Sequence, residues 1–174
     1  MNWDPAKMNN PLPATPSVFD PNEFSTPVEG VGSTSVTVIP AGEYLALIGS
    51  GENDVRPVPY TDQKTNQQKL RLDITFDLVD DSGAIRAAID GRDPRHTQGF
   101  FTDLIPGTWK LDMGKGKNVS INKLREAVGQ NTGAAWVYTM LRGAGPLKLN
   151  IVVEPDKQDP SLMRNRIKTF GRPA

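Results

Sequence analysis

The stretch "GTWKLDMGKGKNVSINKL", residues 107–124, holds the residue types most able to do chemistry in this chain. Trp109 offers a flat aromatic face, Lys110, Lys115 and Lys117 offer mobile positive charge, and the glycines let a backbone approach a ligand closely. Three uses fit such a mixture: a phosphate loop of a nucleotide-hydrolysing enzyme, a nucleic-acid contact, or a solvated turn. A hydrolytic phosphate loop needs Gly, four residues, then Gly-Lys-Ser/Thr at the start of a helix. Here Gly107 and Gly114 are spaced wrongly and Lys115 is followed by Gly116, so the pattern fails. The other two readings stay open at this point. Lysines and free helix amides attract phosphate, and Trp109, with Phe100 and Phe101 upstream, can stack unpaired bases. Equally, Trp109 can be core and the lysines can keep a turn soluble.

Other chemistry is thinly represented. The sequence has no cysteine and a single histidine, His96, which excludes disulfides, thiolate metal sites and the common zinc sets. "TDQK" (residues 61–64) contains the Asp-x-Lys of some metal-dependent nucleases, but it lies in a polar loop with no paired upstream acid. Asp80, Asp81, Asp90 and Asp93 sit where turns are expected, and His96 reads as a surface loop residue. No enzyme activity, cofactor or metal is expected.

The formal charge is zero but polarised. Before Ser35 there is one base, Lys7, against four acids; from Leu141 onward there are seven bases against three acids. Such asymmetry hints at an anionic partner. No apolar run approaches a membrane span, so a soluble, cytoplasmic protein is expected.

The elements that must position these residues are mostly strands. Residues 1–35 are rich in Pro, Ser and Thr without apolar period and read as a flexible, extended arm. Strands are expected in "SVTVIPAGEYLALIG" on either side of a turn at Ala41-Gly42, and a loop over "SGENDVRPVPYTDQKTNQQ". "KLRLDITFDLVDD" alternates strictly, with Leu70, Leu72, Ile74, Phe76 and Leu78 inward and Arg71, Asp73, Thr75 and Asp77 on a wet face. Ala84–Ile89 reads as a further strand, which would point Arg86 outward, and "DGRDPRHTQG" as a loop. "SINKLREAVG" is a helix capped by Ser120 and ended by Gly129. Residues 134–141 are ambiguous between strand and helical turn, with Trp136 and Tyr138 assigned to the core. "PLKLNIVVE" and "NRIKTF" give two late strands, with Lys148 outward on the first and Arg166 and Lys168 outward on the second.

This pattern predicts a mainly β fold: a five-stranded antiparallel barrel of the oligonucleotide-binding (OB) kind with one short helix. An antiparallel sandwich competes with it. The domain plan is an arm (1–35), a barrel (36–154) and a basic C-terminal strand or tail (155–174). In "PAGEYLALI", "LRLDITFDLVDDSG", "NKLREAVG", "LRGAGPLKLNIVVEPD" and "NRIKTF", over about residues 36–170, the chain resembles small phage-encoded single-stranded DNA-binding proteins with an OB fold. The resemblance implies non-sequence-specific coating of single strands in phage replication and recombination, in the host cytoplasm, without a cofactor. Proteins of this kind often carry an acidic C-terminal tail; "RNRIKTFGRPA" is basic instead, and is expected to contact DNA.

The expected interface uses Tyr60, Phe100, Phe101 and Trp109 for stacking, and Lys110, Lys115, Lys117, Lys148, Arg166 and Lys168 for phosphates. Its partner would be single-stranded DNA, or RNA. The rival reading is a virion or assembly protein that self-associates through residues 1–35.

Overall fold

The computed structural model describes residues 21–30 and 37–174. The chain divides into two compact units, residues 1–34 and 35–174. Most of the expected arm, residues 1–20 and 31–35, lies outside the described residues. Within the first unit, α1 (Pro21–Phe24) is a single turn whose Pro21 carbonyl accepts from both the backbone N–H and the hydroxyl of Ser25.

The second unit runs β1 (Gly42–Ile48), β2 (Val55–Asp62), β3 (Gln67–Leu78), α2 (Ala84–Ala88), β4 (Arg95–Phe101), α3 (Val119–Ala127), a 3-10 turn (Tyr138–Leu141), β5 (Leu147–Pro155) and β6 (Met163–Gly171). All strand pairs are antiparallel, in the order β2-β3-β1-β5-β6 with β4 also on β3. The long β3 makes this branching work. It pairs with β2 along Gln67–Ile74 and with β1 at Phe76–Leu78, while β4 takes its other edge along Arg71–Asp77. Among the described residues, no helix is long and apolar enough to cross a membrane.

The expected closed barrel is corrected to an open six-stranded sheet. Among the described residues no backbone ladder joins β4 and β6; the Gln98 side chain bridges them by hydrogen bond, its Oε1 accepting from Ile167 N–H at 2.7 Å, and the Phe100 ring packs on Phe170. A bulge sits at this place on β6. Ile167 faces Ile151 and Thr169 faces Asn150, so Lys168 is the extra residue. Bulges bend a strand and interrupt regular pairing, which leaves the gap to a side-chain amide. The carboxamide of Asn165 performs the same service for Ile39, accepting from its N–H (2.8 Å) and donating to its carbonyl (2.7 Å).

The alternating apolar residues of β1, β3 and β5 supply the core, with Ile48, Ile74, Phe76, Leu147, Leu149 and Ile151 fully buried. Ile121, Leu124 and Ala127 of α3 pack onto it and against β6. Trp136 and Tyr138 are partly buried against this core. The end of α3 is a Schellman motif. Gly129, at φ 75°, donates to the Glu126 carbonyl, and Gln130 N–H donates to the Arg125 carbonyl at 2.7 Å.

Four expectations about local structure are corrected. Ala84–Ala88 is helical, not a strand: Ile85 and Ile89 bury at helical spacing, and the Asp80 carboxylate accepts from the N–H groups of Ile85 and Arg86 at 3.0 and 2.8 Å. Arg86 therefore leaves the sheet and pairs with Asp93. Two supposed loops contain strands, β2 and β4. Pro57 and Pro59 are tolerated because β2 pairs on one edge only and they need donate nothing to a second ladder. Residues 155–174, expected as a strand or tail, carry β6, which pairs along β5. Finally, α3 begins at Val119, with Asn118 rather than Ser120 at the N-cap.

Candidate nucleic-acid interface

The outer face of β3 and β4 is not simply wet. Asp73 and Thr75 are buried there, and the reason is Gly99, which pairs opposite Asp73. A Cβ on Gly99 would stand 2.5 Å from Arg71 Cδ and 3.0 Å from Asp73 Oδ1. Without one, Arg71 lies across the strand and donates from Nε and one terminal nitrogen to the two carboxylate oxygens of Asp73, at 2.6 and 3.0 Å. Thr75 and Thr97 hydroxyls bond across the same pair of strands at 2.7 Å.

This face forms one wall of a groove of about 800 Å³; the β5–β6 hairpin and Thr37–Ile39 form the other. Six cationic residues line it, Arg71, Arg92, Arg95, Lys157, Arg164 and Arg166, against three acids, Asp73, Asp93 and Asp156. Most of the arginines are held by carboxylates. Arg95 bridges Asp77 and Asp54, and Arg164 and Arg166 grip opposite oxygens of Glu154 at 2.9 and 2.8 Å. The Arg166 hydrogen bond, then that of Arg164, holds the Glu154 carboxyl below its usual range. Arg164 also lies 3.9 Å from the Asp156 carboxylate, so two carboxylates balance the two guanidiniums, whose five N–H donors apiece exceed these contacts. Arg92 donates instead to the carbonyls of Ile89 and Thr37, and Lys157 makes no ion pair among the described residues.

Phe101 stands in the lining with 68% of its surface exposed. Its ring meets Tyr60 edge-to-face at 5.5 Å, the half-buried Tyr60 holding it from across β3. Phe100, expected beside it, is corrected out of the interface. It is 5% exposed and its ring packs on Phe76 and Phe170. Neighbours on a strand face opposite ways, so only one phenylalanine of the pair can be outside.

After Phe101 the chain enters an ordered excursion, residues 103–118. Leu104 pairs with Leu111, Ile105 N–H donates to the Lys110 carbonyl, and Gly107 turns the tip at φ 74°, leaving Trp109 60% exposed. Buried Asn118 clamps the base. Its amide donates to the carbonyls of Asp103 and Asp112 at 2.8 and 2.9 Å, and its oxygen accepts from Asp103 N–H at 2.8 Å. The Gly114–Lys117 turn that follows is not a phosphate cradle. Gly114 N–H already donates to the Asp112 carboxylate, and Lys117 N–H to the Gly114 carbonyl. Lys115 and Lys117 are exposed and form no ion pair among the described residues.

A second hollow, about 610 Å³, lies between this excursion and residues 131–138. Trp109, Lys110, Met113, Arg125, Trp136 and Tyr138 are among its lining, which includes no acidic residue. The Arg125 guanidinium sits 4.6 Å over the Trp136 ring, a contact worth ~0.5–2 kcal/mol in general.

The expected set thus separates. Phe101 and Arg166 line the groove with Tyr60 behind, whereas Trp109 and Lys110 line the second hollow. Lys115, Lys117, Lys148 and the bulge residue Lys168 line neither, and Lys148 pairs with Glu43 at 2.8 Å. Sequence reasoning missed Arg92, Arg95, Lys157 and Arg164. Arg92 and Lys157 lie between elements and Arg95 and Arg164 at the starts of β4 and β6, where no period shows, although "GRDPRH" and "DKQDPSLMRNR" carry more bases than acids beside turn residues. His96 is also corrected: it lies on β4, its buried Nε2 without a hydrogen-bond partner among the described residues, and burial holds its pKa below the usual value. Asp62 of the Asp-x-Lys motif closes the β2–β3 turn, accepting from the N–H groups of Lys64 and Thr65 and pairing with Lys69. No protein-family model, no curated protein and no solved structure matches this chain.

Proposed function

We propose that this chain binds single-stranded nucleic acid without sequence preference, DNA in the first instance, as a binding protein rather than an enzyme. The observation that carries the reading is the groove, with six cationic side chains in its lining and the exposed Phe101 ring among them. Cations follow a phosphate backbone, and an aromatic face accepts any base, which is the combination that binds single strands irrespective of sequence. Arginines already held by carboxylates are pre-oriented, so a phosphate finds them in place, though it must share them with Asp73 and Glu154. Binding should therefore be moderate and sensitive to salt. The resemblance over residues 36–170 is what suggests a place in phage replication and recombination.

The test is an anisotropy titration of labelled oligo-dT at two salt concentrations, with duplex DNA as control, on the parent chain and Phe101→Ala. Saturable binding that weakens with salt, and weakens by about 1–3 kcal/mol in Phe101→Ala, is expected. Flat traces would sink the reading and turn attention to assembly through residues 1–35.

A further inference from the structure

The second hollow has a buried positive charge in its wall. Arg125 is 4% exposed; among the described residues its Nε has no hydrogen-bond partner, and its terminal nitrogens donate only to the neutral oxygens of Asn122 and Gln130. Among the described residues it makes no ion pair. Burial lowers its pKa, the direction expected of a cation short of compensation. The Trp136 face and the carbonyls at the end of α3 offset the charge in part, but neither carries a full negative charge. Buried charges are ordinarily paired, and here neither an ion pair among the described residues nor an acid in the lining of the hollow supplies a partner.

The rest of the lining narrows what could supply it. Trp109, Trp136 and Tyr138 give aromatic faces, Lys110 gives a second cation, and Asn131 gives an amide for hydrogen bonds at a ring edge. No carboxylate lines the hollow to repel an anion, and about 610 Å³ falls within the ~300–1,000 Å³ of small-molecule sites. We propose that the hollow is a binding site for a single nucleotide, its base on the indole walls and its phosphate countering Arg125 and Lys110. This does not rest on strand binding in the groove, and the nucleotide can be free or borne on a strand.

The test compares thymidine 5′-monophosphate, thymidine and 5′-phosphorylated oligo-dT by calorimetry on the full chain, then on Val137→Glu. Val137 lines the hollow and is 57% exposed, so the substitution adds a carboxylate there without opening the core; an unchanged melting temperature checks this. The monophosphate is expected to bind at least tenfold tighter than thymidine, and to lose at least tenfold in Val137→Glu. If the monophosphate fails but the oligonucleotide binds and weakens tenfold in Val137→Glu, the site takes strand-borne nucleotide and the proposal holds in that form. Thymidine binding as tightly as its monophosphate would overturn it. So would oligonucleotide binding indifferent to Val137→Glu with no monophosphate binding, an outcome that leaves the groove reading intact.

Discussion

Gln98 on β4 holds the main chain of Ile167 on β6 with both ends of one carboxamide, accepting from its N–H at 2.7 Å and donating to its carbonyl at 3.5 Å. A peptide unit of a neighbouring strand would offer the same donor and acceptor. The sheet is thus held at its open seam by a side chain in the role of a backbone, and that side chain also lines the groove.

Removing it should loosen the seam locally. Gln98→Leu leaves the Ile167 N–H without its acceptor, a loss of about 1–3 kcal/mol for a buried donor. Thermal melting should register a drop of several degrees, and hydrogen exchange should accelerate at the Ile167 amide. Gln98→Glu keeps the acceptor, so it should melt closer to the parent while weakening oligonucleotide binding through its charge in the groove. Unchanged exchange at Ile167 in Gln98→Leu would show that the Gln98 hydrogen bonds do not protect this part of β6.

The base of the Trp109 excursion makes a second prediction. Asn118 has φ 49°, a left-handed conformation that asparagine tolerates, and its side chain makes three hydrogen bonds across the loop. Asn118→Ala loses the bonds and adds backbone strain; Asn118→Gly loses the bonds but relieves the strain. If the clamp matters more than the conformation, both variants should expose Lys110, Lys115 and Lys117 to trypsin far faster than the parent. Parent-like resistance in Asn118→Gly would assign the position to its backbone angle instead.

These details mark how far the sequence was legible. β1, β3 and β5 bury alternate residues and announce themselves by a two-residue period. β4 has one fully buried side chain, Phe100, within "RHTQGFF", and β2 carries two prolines on an edge, so neither has a period to detect. "AIRAAI" carries a legible helical signal: its isoleucines are four apart, a helical spacing, and Asp80 stands upstream to cap it. At the site, Phe101 and Arg166 could be found by type, and strand parity alone could have separated Phe101 from Phe100. The Arg125–Trp136 pair could not be found, because a glycine-rich connection brings the two together and no local pattern encodes its path.

His96 predicts a pH response. Burial, against a weaker opposing hydrogen bond with Gln98, holds its folded pKa below 6.5. Above pH 6.5 the ring is neutral in both folded and unfolded chains, and its contribution to stability is fully present. As pH falls through 6.5 the unfolded chain takes up the proton first, so stability is lost towards the folded pKa. Glu154 and Asp156, held below the usual carboxylate range, contribute their losses only at lower pH. The melting temperature should therefore decline between pH 7 and pH 5 in the parent and stay nearly level in His96→Gln. An equal decline in both would remove His96 as the cause.

Salt dependence can decide which cations a strand uses. Each phosphate neutralised on a single strand adds about −0.7 to the slope of log K against log salt. Lys157 lines the groove and makes no ion pair among the described residues, so a phosphate there displaces only counter-ions. Lys148 is engaged by Glu43 on a surface outside the groove. Lys157→Ala should make the slope shallower by about 0.7, and Lys148→Ala should leave it unchanged. Truncating Lys115 and Lys117 together supplies the contrast, since they are exposed and without an ion pair among the described residues yet line neither hollow. A strand confined to the groove leaves the slope of that double variant at the parent value. A strand that continues over the excursion makes it shallower by about 1.4, and the glycine–lysine turn would then be part of the interface despite its occupied amides.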